Sequence, residues 1–188
     1  LASGTVLVIE QSTGYPVDGK VAATVRPARP GRLVLDVRIP AWCSEAAVSV
    51  NGEAVEGVTP GQFARIDRTW RDGDRVELSF PMEPRWLAAG DRRALARGPL
   101  VHALDTAWCD AVNRRRLAAA RAISTEPPTP MDTPEGAFGR AYRVQVTLAD
   151  GRRALAPLLP FANRGMAPAL PSDVCTVWLP EATSGRFR

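Results

Sequence analysis

Apolar and polar residues alternate with a period of two in several separate segments of this sequence, a pattern that fits extended strands with one face in a core. In RLVLDVRIP, Leu33, Leu35, Val37 and Ile39 fall on one side and Arg32, Asp36 and Arg38 on the other. RVELSF repeats this with Val76, Leu78 and Phe80 inward and Arg75, Glu77 and Ser79 outward, and YRVQVTLAD does so again through Val144, Val146 and Leu148. Turn chemistry lies between the strands. Tyr15-Pro16-Val17-Asp18-Gly19 joins TVLVIEQ to KVAATVRP, Asn51-Gly52 closes a hairpin after AVSV, and Asp72-Gly73-Asp74 leads into RVELSF. The order of such units predicts an all-β fold, an antiparallel, jelly-roll-like sandwich. One helix is expected, over Trp108 to Ile123, where Ala and Arg are frequent. STEPPTPMDTPEG, residues 124–136, is expected to be a surface loop because its four prolines are incompatible with a central strand. CTVWLP, residues 175–180, is expected to be the last strand.

A chain of 188 residues can bury roughly 70% of its unfolded surface, so a core without staples is expected. No apolar run approaches the ~18 residues of a membrane helix, so no membrane contact is predicted. The net charge of +4 raises nucleic acid as a partner, but Lys20 is the only lysine among 24 basic residues, and these are dispersed among 20 acids. The one dense cluster, Arg114-Arg115-Arg116, is expected to be a solvated helix face, and no nucleic-acid motif accompanies it. The chain starts at Leu1 with neither Met nor leader and reads as strand from its first residues, the pattern expected of a piece of a longer polypeptide. Compartment stays open on this sequence, with the cytoplasm slightly favoured.

The sequence is poor in catalytic chemistry. Cys43, Cys109 and Cys175 form an odd set without Cys-x-x-Cys spacing; one pair, such as Cys43 with Cys175, is a possibility that sequence cannot decide. His102 is the only histidine, and its place in GPLVHALD between Leu100 and Leu104 predicts a hydrogen-bonded core residue rather than the base of a cysteine nucleophile. A metal site is poorly supplied for the same reason. Nearly all of Glu45, Glu53, Glu56, Asp67, Asp72, Asp74 and Glu77 are expected at turns or outward strand positions, which favours solvation over paired acid and base. Of the five tryptophans, Trp42 and Trp178 are expected in the core, while Trp70 and Trp86, read as turn residues beside Arg and Asp, are the carbohydrate-binding candidates.

Taken in order, the segments TGYPVDGKVAATV, LVLDVRIPAWC with VSVNGE, RTWRDGDRVELSFPM, ALARGPLVHALD, and LLPFANRG with VWLP resemble the C-terminal β-sandwich region of glycoside hydrolase family 127, whose type members are bacterial β-L-arabinofuranosidases. The resemblance covers nearly all of the chain outside residues 109–140. It implies a parent enzyme that catalyses in an upstream (α/α) barrel with a zinc-bound cysteine thiolate as nucleophile and a glutamate as acid/base. None of those groups maps onto this sequence, so no catalytic residue, no metal ligand and no cofactor is expected in it. The resemblance also implies a first sandwich over residues 1–98, completed by about 157–188, and a second, smaller β-rich unit over 99–156 that carries the helix and the proline-rich loop.

The leading expectation is therefore a non-catalytic accessory sandwich that supports the barrel of the same polypeptide, with an apolar patch larger than a few hundred Å² where the barrel packs. A homodimer is left open. The alternative is an independent carbohydrate-binding module acting through Trp70 or Trp86, in which arabinose-containing oligosaccharides would quench tryptophan fluorescence.

Overall fold

The computed structural model describes residues 6–182, and its contacts divide the chain into two compact units, Leu1–Met82 and Glu83–Arg188. Both are built from antiparallel strands, and the fold is all-β as the alternation requires. No helix among the described residues is long and apolar enough to cross a membrane.

The first unit contains β1 (Leu7–Thr13), β2 (Lys20–Pro27), β3 (Gly31–Arg38), β4 (Ala47–Val50), β5 (Glu53–Ala54), β6 (Phe63–Trp70) and β7 (Asp74–Ser79). One sheet has five strands in the order β1-β2-β7-β4-β5, and a second consists of β3 and β6 alone. Side chains from both meet in one core that includes Val25, Val48 and Val76 from the larger sheet and Ala64, Ile66 and Trp70 from β6. Leu33, Leu35 and Val37 pack against that core and Ile39 is fully buried, while Arg32, Asp36 and Arg38 are exposed. The period-two reading thus carries through to packing.

The β4–β5 hairpin turns at Asn51 and Gly52, with φ of 53° and 84°, the pair of positive angles a two-residue hairpin of matching twist requires. Asn51 also ties the turn to β7, the sheet neighbour of β4. Its amide nitrogen donates to Asp74 Oδ1 at 2.8 Å, and its oxygen accepts from the Arg75 N–H at 2.8 Å.

The second unit contains β8 (Pro84–Ala89), β9 (Arg92–Arg97), β10 (Leu100–Asp105), α1 (Ala111–Leu117), β11 (Ala120–Ile123), β12 (Thr129–Met131), β13 (Ala141–Leu148), β14 (Arg153–Pro160), β15 (Cys175–Thr176) and β16 (Leu179–Pro180). These strands form a nine-stranded sheet with the path β11-β13-β14-β10-β9-β16, to which β12, β15 and β8 attach through β13, β10 and β9. The sheet curls until its ends approach: Glu181, just after β16, forms a parallel bridge with Ile123 at the end of β11, and the Ala182 N–H donates to the Ile123 carbonyl at 2.8 Å. Curling encloses a core that includes Leu95, Leu104, Val146, Ala156 and Leu158.

Three local expectations need correction. The helix is shorter than Trp108–Ile123: Asp110 caps it by accepting from the Val112 and Asn113 N–H groups at 3.0 Å, and it ends at Leu117. Residues 120–123 are instead strand β11, because pairing with β13 buries Ala120 and Ile123 and outweighs their modest helix preference. Within 124–136, Thr129–Met131 pairs with β13, and Pro130 is accommodated because β12 lies at a sheet edge. The expected strand at 175–180 is two two-residue strands, β15 on β10 and β16 on β9.

In the hydrogen-bonded sheets, β8, β9, β15 and β16 all belong with β10 and β14, and the second unit is the longer of the two.

Candidate functional site

Trp70 closes β6 in phase with Ala64 and Ile66, which directs it into the core of the first unit. Its exposure is 0%, its Nε1–H donates to the Leu33 carbonyl at 3.1 Å, and the Arg68 guanidinium lies 5.5 Å from the centre of its ring. A sugar needs a free aromatic face, and Trp70 has none. Trp86 lies in β8 rather than in a turn, is half-buried, and packs against the core of the second unit. Of the two carbohydrate candidates, only Trp86 retains any accessible surface.

The thiols are placed for packing. Cys43 is buried in the first core, where burial pushes its thiol above the usual range. Burial, with Asp110 adding to it, raises Cys109 to about 11, and burial with Asp105 does the same to Cys175. All three are free cysteines. A thiol with a raised pKa is protonated near neutrality and is a poor nucleophile. His102 is 1% exposed, and its Nε2–H donates to the Arg140 carbonyl at 2.9 Å. Burial lowers its pKa, which favours the neutral imidazole of a core residue.

Charged groups missed in the sequence converge in the second unit. Arg114 was expected on a solvated face; instead its Nε lies 3.3 Å from Asp173 Oδ1, and its guanidinium donates to the Thr106 and Ala107 carbonyls. Thr106 Oγ1 donates to Asp173 at 3.0 Å and accepts from the Val174 N–H at 2.9 Å. The Leu170 N–H and then the Thr106 hydroxyl and Arg114 hold the Asp173 carboxyl below its ordinary value, against the opposing effect of burial. Asp105 is paired with Arg164 at 3.0 Å and accepts from the Ala107 N–H. These bonds fasten the segment after β14 to the end of β10 and to α1. Both carboxylates are committed to arginines, so neither stands free as a general acid or base.

The other two arginines of the cluster, Arg115 and Arg116, line a hollow of about 740 Å³ together with Arg152 and Asp150, which form an ion pair at 2.7 Å. Zinc, which the family resemblance brings in for a parent enzyme, finds no fit here: among the described residues no three His, Cys, Asp or Glu side chains are grouped to hold a metal.

The first unit carries an apolar groove of about 490 Å³. Val21, Ala23 and Leu78 contribute to its lining, with Ile9 and Gln11 from β1 on one side and Leu35 and Val37 from β3 on the other. Its origin is the mismatch between a five-stranded and a two-stranded sheet. β1 shows the consequence: every residue after Leu7 in that strand is exposed, Ile9 to 50%. No sequence motif marks the groove, because alternation tells which face of a strand points inward but not whether a partner covers it.

Comparison with known proteins places this geometry. Residues 2–82 match the family model described as β-L-arabinofuranosidase, GH127 middle domain. The likeness is to glycoside hydrolase family 127. A solved glycoside hydrolase superposes with a TM-score of 0.74 at 28% identity over 94% of this chain and 32% of its own. A GH127 β-L-arabinofuranosidase from Geobacillus stearothermophilus T6 gives 0.73 at 26% identity over 95% of this chain and 31% of its own. A further GH127 β-arabinofuranosidase gives 0.70 at 25% identity over 95% and 32%. The chain thus spans about a third of the length of these solved structures, and the likeness to them extends through both units. Comparison with curated protein sequences gives no match.

Proposed function

We propose that this chain is the accessory, non-catalytic β-region of a family 127-like glycoside hydrolase, and that it supports a catalytic (α/α) barrel in the same polypeptide. The observation that carries this reading is the joint one of a middle-domain match over residues 2–82 and a structural likeness that runs through 94% of the chain while taking up only 32% of the solved enzyme. The residue chemistry supports it. The thiols are pushed upward by burial, the single histidine is a core residue, and the carboxylates of Asp105 and Asp173 are bound to arginines. On this reading the parent enzyme acts on arabinose-containing glycans, and zinc and the catalytic side chains lie in the barrel.

The test is turnover of p-nitrophenyl β-L-arabinofuranoside. The 188-residue chain is expected to release no nitrophenol at any pH at which it is folded, whereas the native polypeptide that contains it is expected to do so. Turnover by the chain alone, lost on mutation of a residue within it, would overturn the proposal.

A further inference from the structure

In the first unit a two-stranded sheet lies over a five-stranded one, and the strip left uncovered is both apolar and flanked by an unpaired strand edge. The pairing of β3 with β6 identifies that edge. The Ile39 N–H donates to the Gln62 carbonyl, continuing the ladder in which Val37 faces Ala64 and Leu35 faces Ile66. Antiparallel strands exchange hydrogen bonds at every second residue, so the odd-numbered residues of β3 turn their backbone groups toward β6. Arg32, Val34 and Asp36 therefore turn theirs the other way, where no strand among the described residues meets them. A row of unpaired N–H and C=O groups beside an apolar strip is a template for one more strand.

The side chains fit the same occupant. A strand laid along this edge would place alternate residues over Ile9, Val21, Ala23 and Leu35, all of which line the groove. The intervening residues would face outward beside Arg32 and Asp36. The lining is mainly aliphatic, with Gln11, Tyr15, Asp36 and Arg38 as its polar members, a composition that suits an extended peptide with alternating apolar side chains.

We infer that the groove of the first unit and the outer edge of β3 receive one extended segment of the same polypeptide, from outside these 188 residues, which adds to β3 as a third strand and covers β1 and β2. The inference rests on the reading of the chain as one region of a larger family 127-like enzyme. The source of the strand follows from length: the solved relatives carry about two thirds of their residues beyond the part this chain matches, and a segment tethered in the same molecule binds with the effective concentration of a linked partner.

The experiment is amide hydrogen exchange at single-residue resolution, on the 188-residue chain and on the native polypeptide, with the intact mass of the latter measured in the same run. The Arg32, Val34 and Asp36 amides are expected to exchange freely in the isolated chain and roughly tenfold or more slowly in the longer polypeptide. Val34→Pro, which removes an outward donor and leaves the β6 ladder whole, should return Arg32 and Asp36 to fast exchange while Leu33 and Leu35 stay protected. Ile9→Asp, which charges the groove without touching β3, should do the same.

Fast exchange at all three amides in a polypeptide several hundred residues longer would overturn this inference and leave the accessory reading intact. A native polypeptide with the mass of the isolated chain would overturn both. Protection that grows with protein concentration alongside dimer formation would assign the edge to a second copy and overturn the tethered strand.

Discussion

Trp70 is the residue whose placement says most about what this chain does not do. It is fully buried, hydrogen-bonded to Leu33 and capped by Arg68, so Trp70→Ala is expected to cost about 3–5 kcal/mol of stability, read as a fall in the denaturant midpoint. Its inward direction was legible: Ala64, Ile66, Arg68 and Trp70 are in phase, and β6 ends where that phase ends. What obscured it was Arg68, a charge at an inward position, which is tolerated because its guanidinium lies over the indole ring. The cysteines lead to a pH prediction. Cys109 and Cys175 have thiols raised by burial from 9.0 to about 11, so the folded state holds protons that the unfolded state gives up. Their stabilising effect is complete below pH 9 and is lost as pH rises toward 11. Denaturant unfolding across pH 8–11 should show falling stability, and Cys109→Ser should flatten that fall. A profile unchanged by the substitution would refute the assignment.

Elements show where sequence reading stops. Strands β3, β7 and β13 were visible because each covers one face, and alternation reports that directly. The helix was overextended because Ala120 to Ile123 has a neutral composition, and only its pairing with β13 makes it strand. The ion network around Asp173 gave no sequence signal at all, since its members Thr106, Arg114 and Asp173 are brought together by the fold from separate parts of the chain. Asp173→Asn should weaken the attachment of that segment to α1 and raise hydrogen exchange at Leu170 and Val174. Because the native carboxyl is held low, its contribution is present at neutral pH and is lost as pH falls through its depressed value, so the variant should show less acid dependence than the parent. Gly19 makes a sterically sharp case. A Cβ there would lie 1.8 Å from the Phe80 carbonyl oxygen, and the Gly19 carbonyl itself accepts from the Phe80 N–H. Gly19→Ala is expected to destabilise the first unit by about 1–3 kcal/mol, in contrast to Gly52→Ala, where nothing crowds the new methyl and only the positive φ of 84° opposes it.

At the level of the whole molecule, the family resemblance carried by TGYPVDGKVAATV, LVLDVRIPAWC and RTWRDGDRVELSFPM falls within residues matched by the GH127 middle-domain model. The groove was not legible from those same segments, because a sequence shows which side of a strand is apolar and not what lies over it. An uncovered apolar strip in an otherwise packed unit is a common sign of a surface built for a partner. On the proposed reading, the partner is the rest of a larger enzyme of which this chain is one region. The intact mass of the native polypeptide, captured through this sequence from its source, tests that claim most directly. A product several hundred residues longer than the 188 described by the sequence is the expected result. A product at 20.3 kDa would contradict the account.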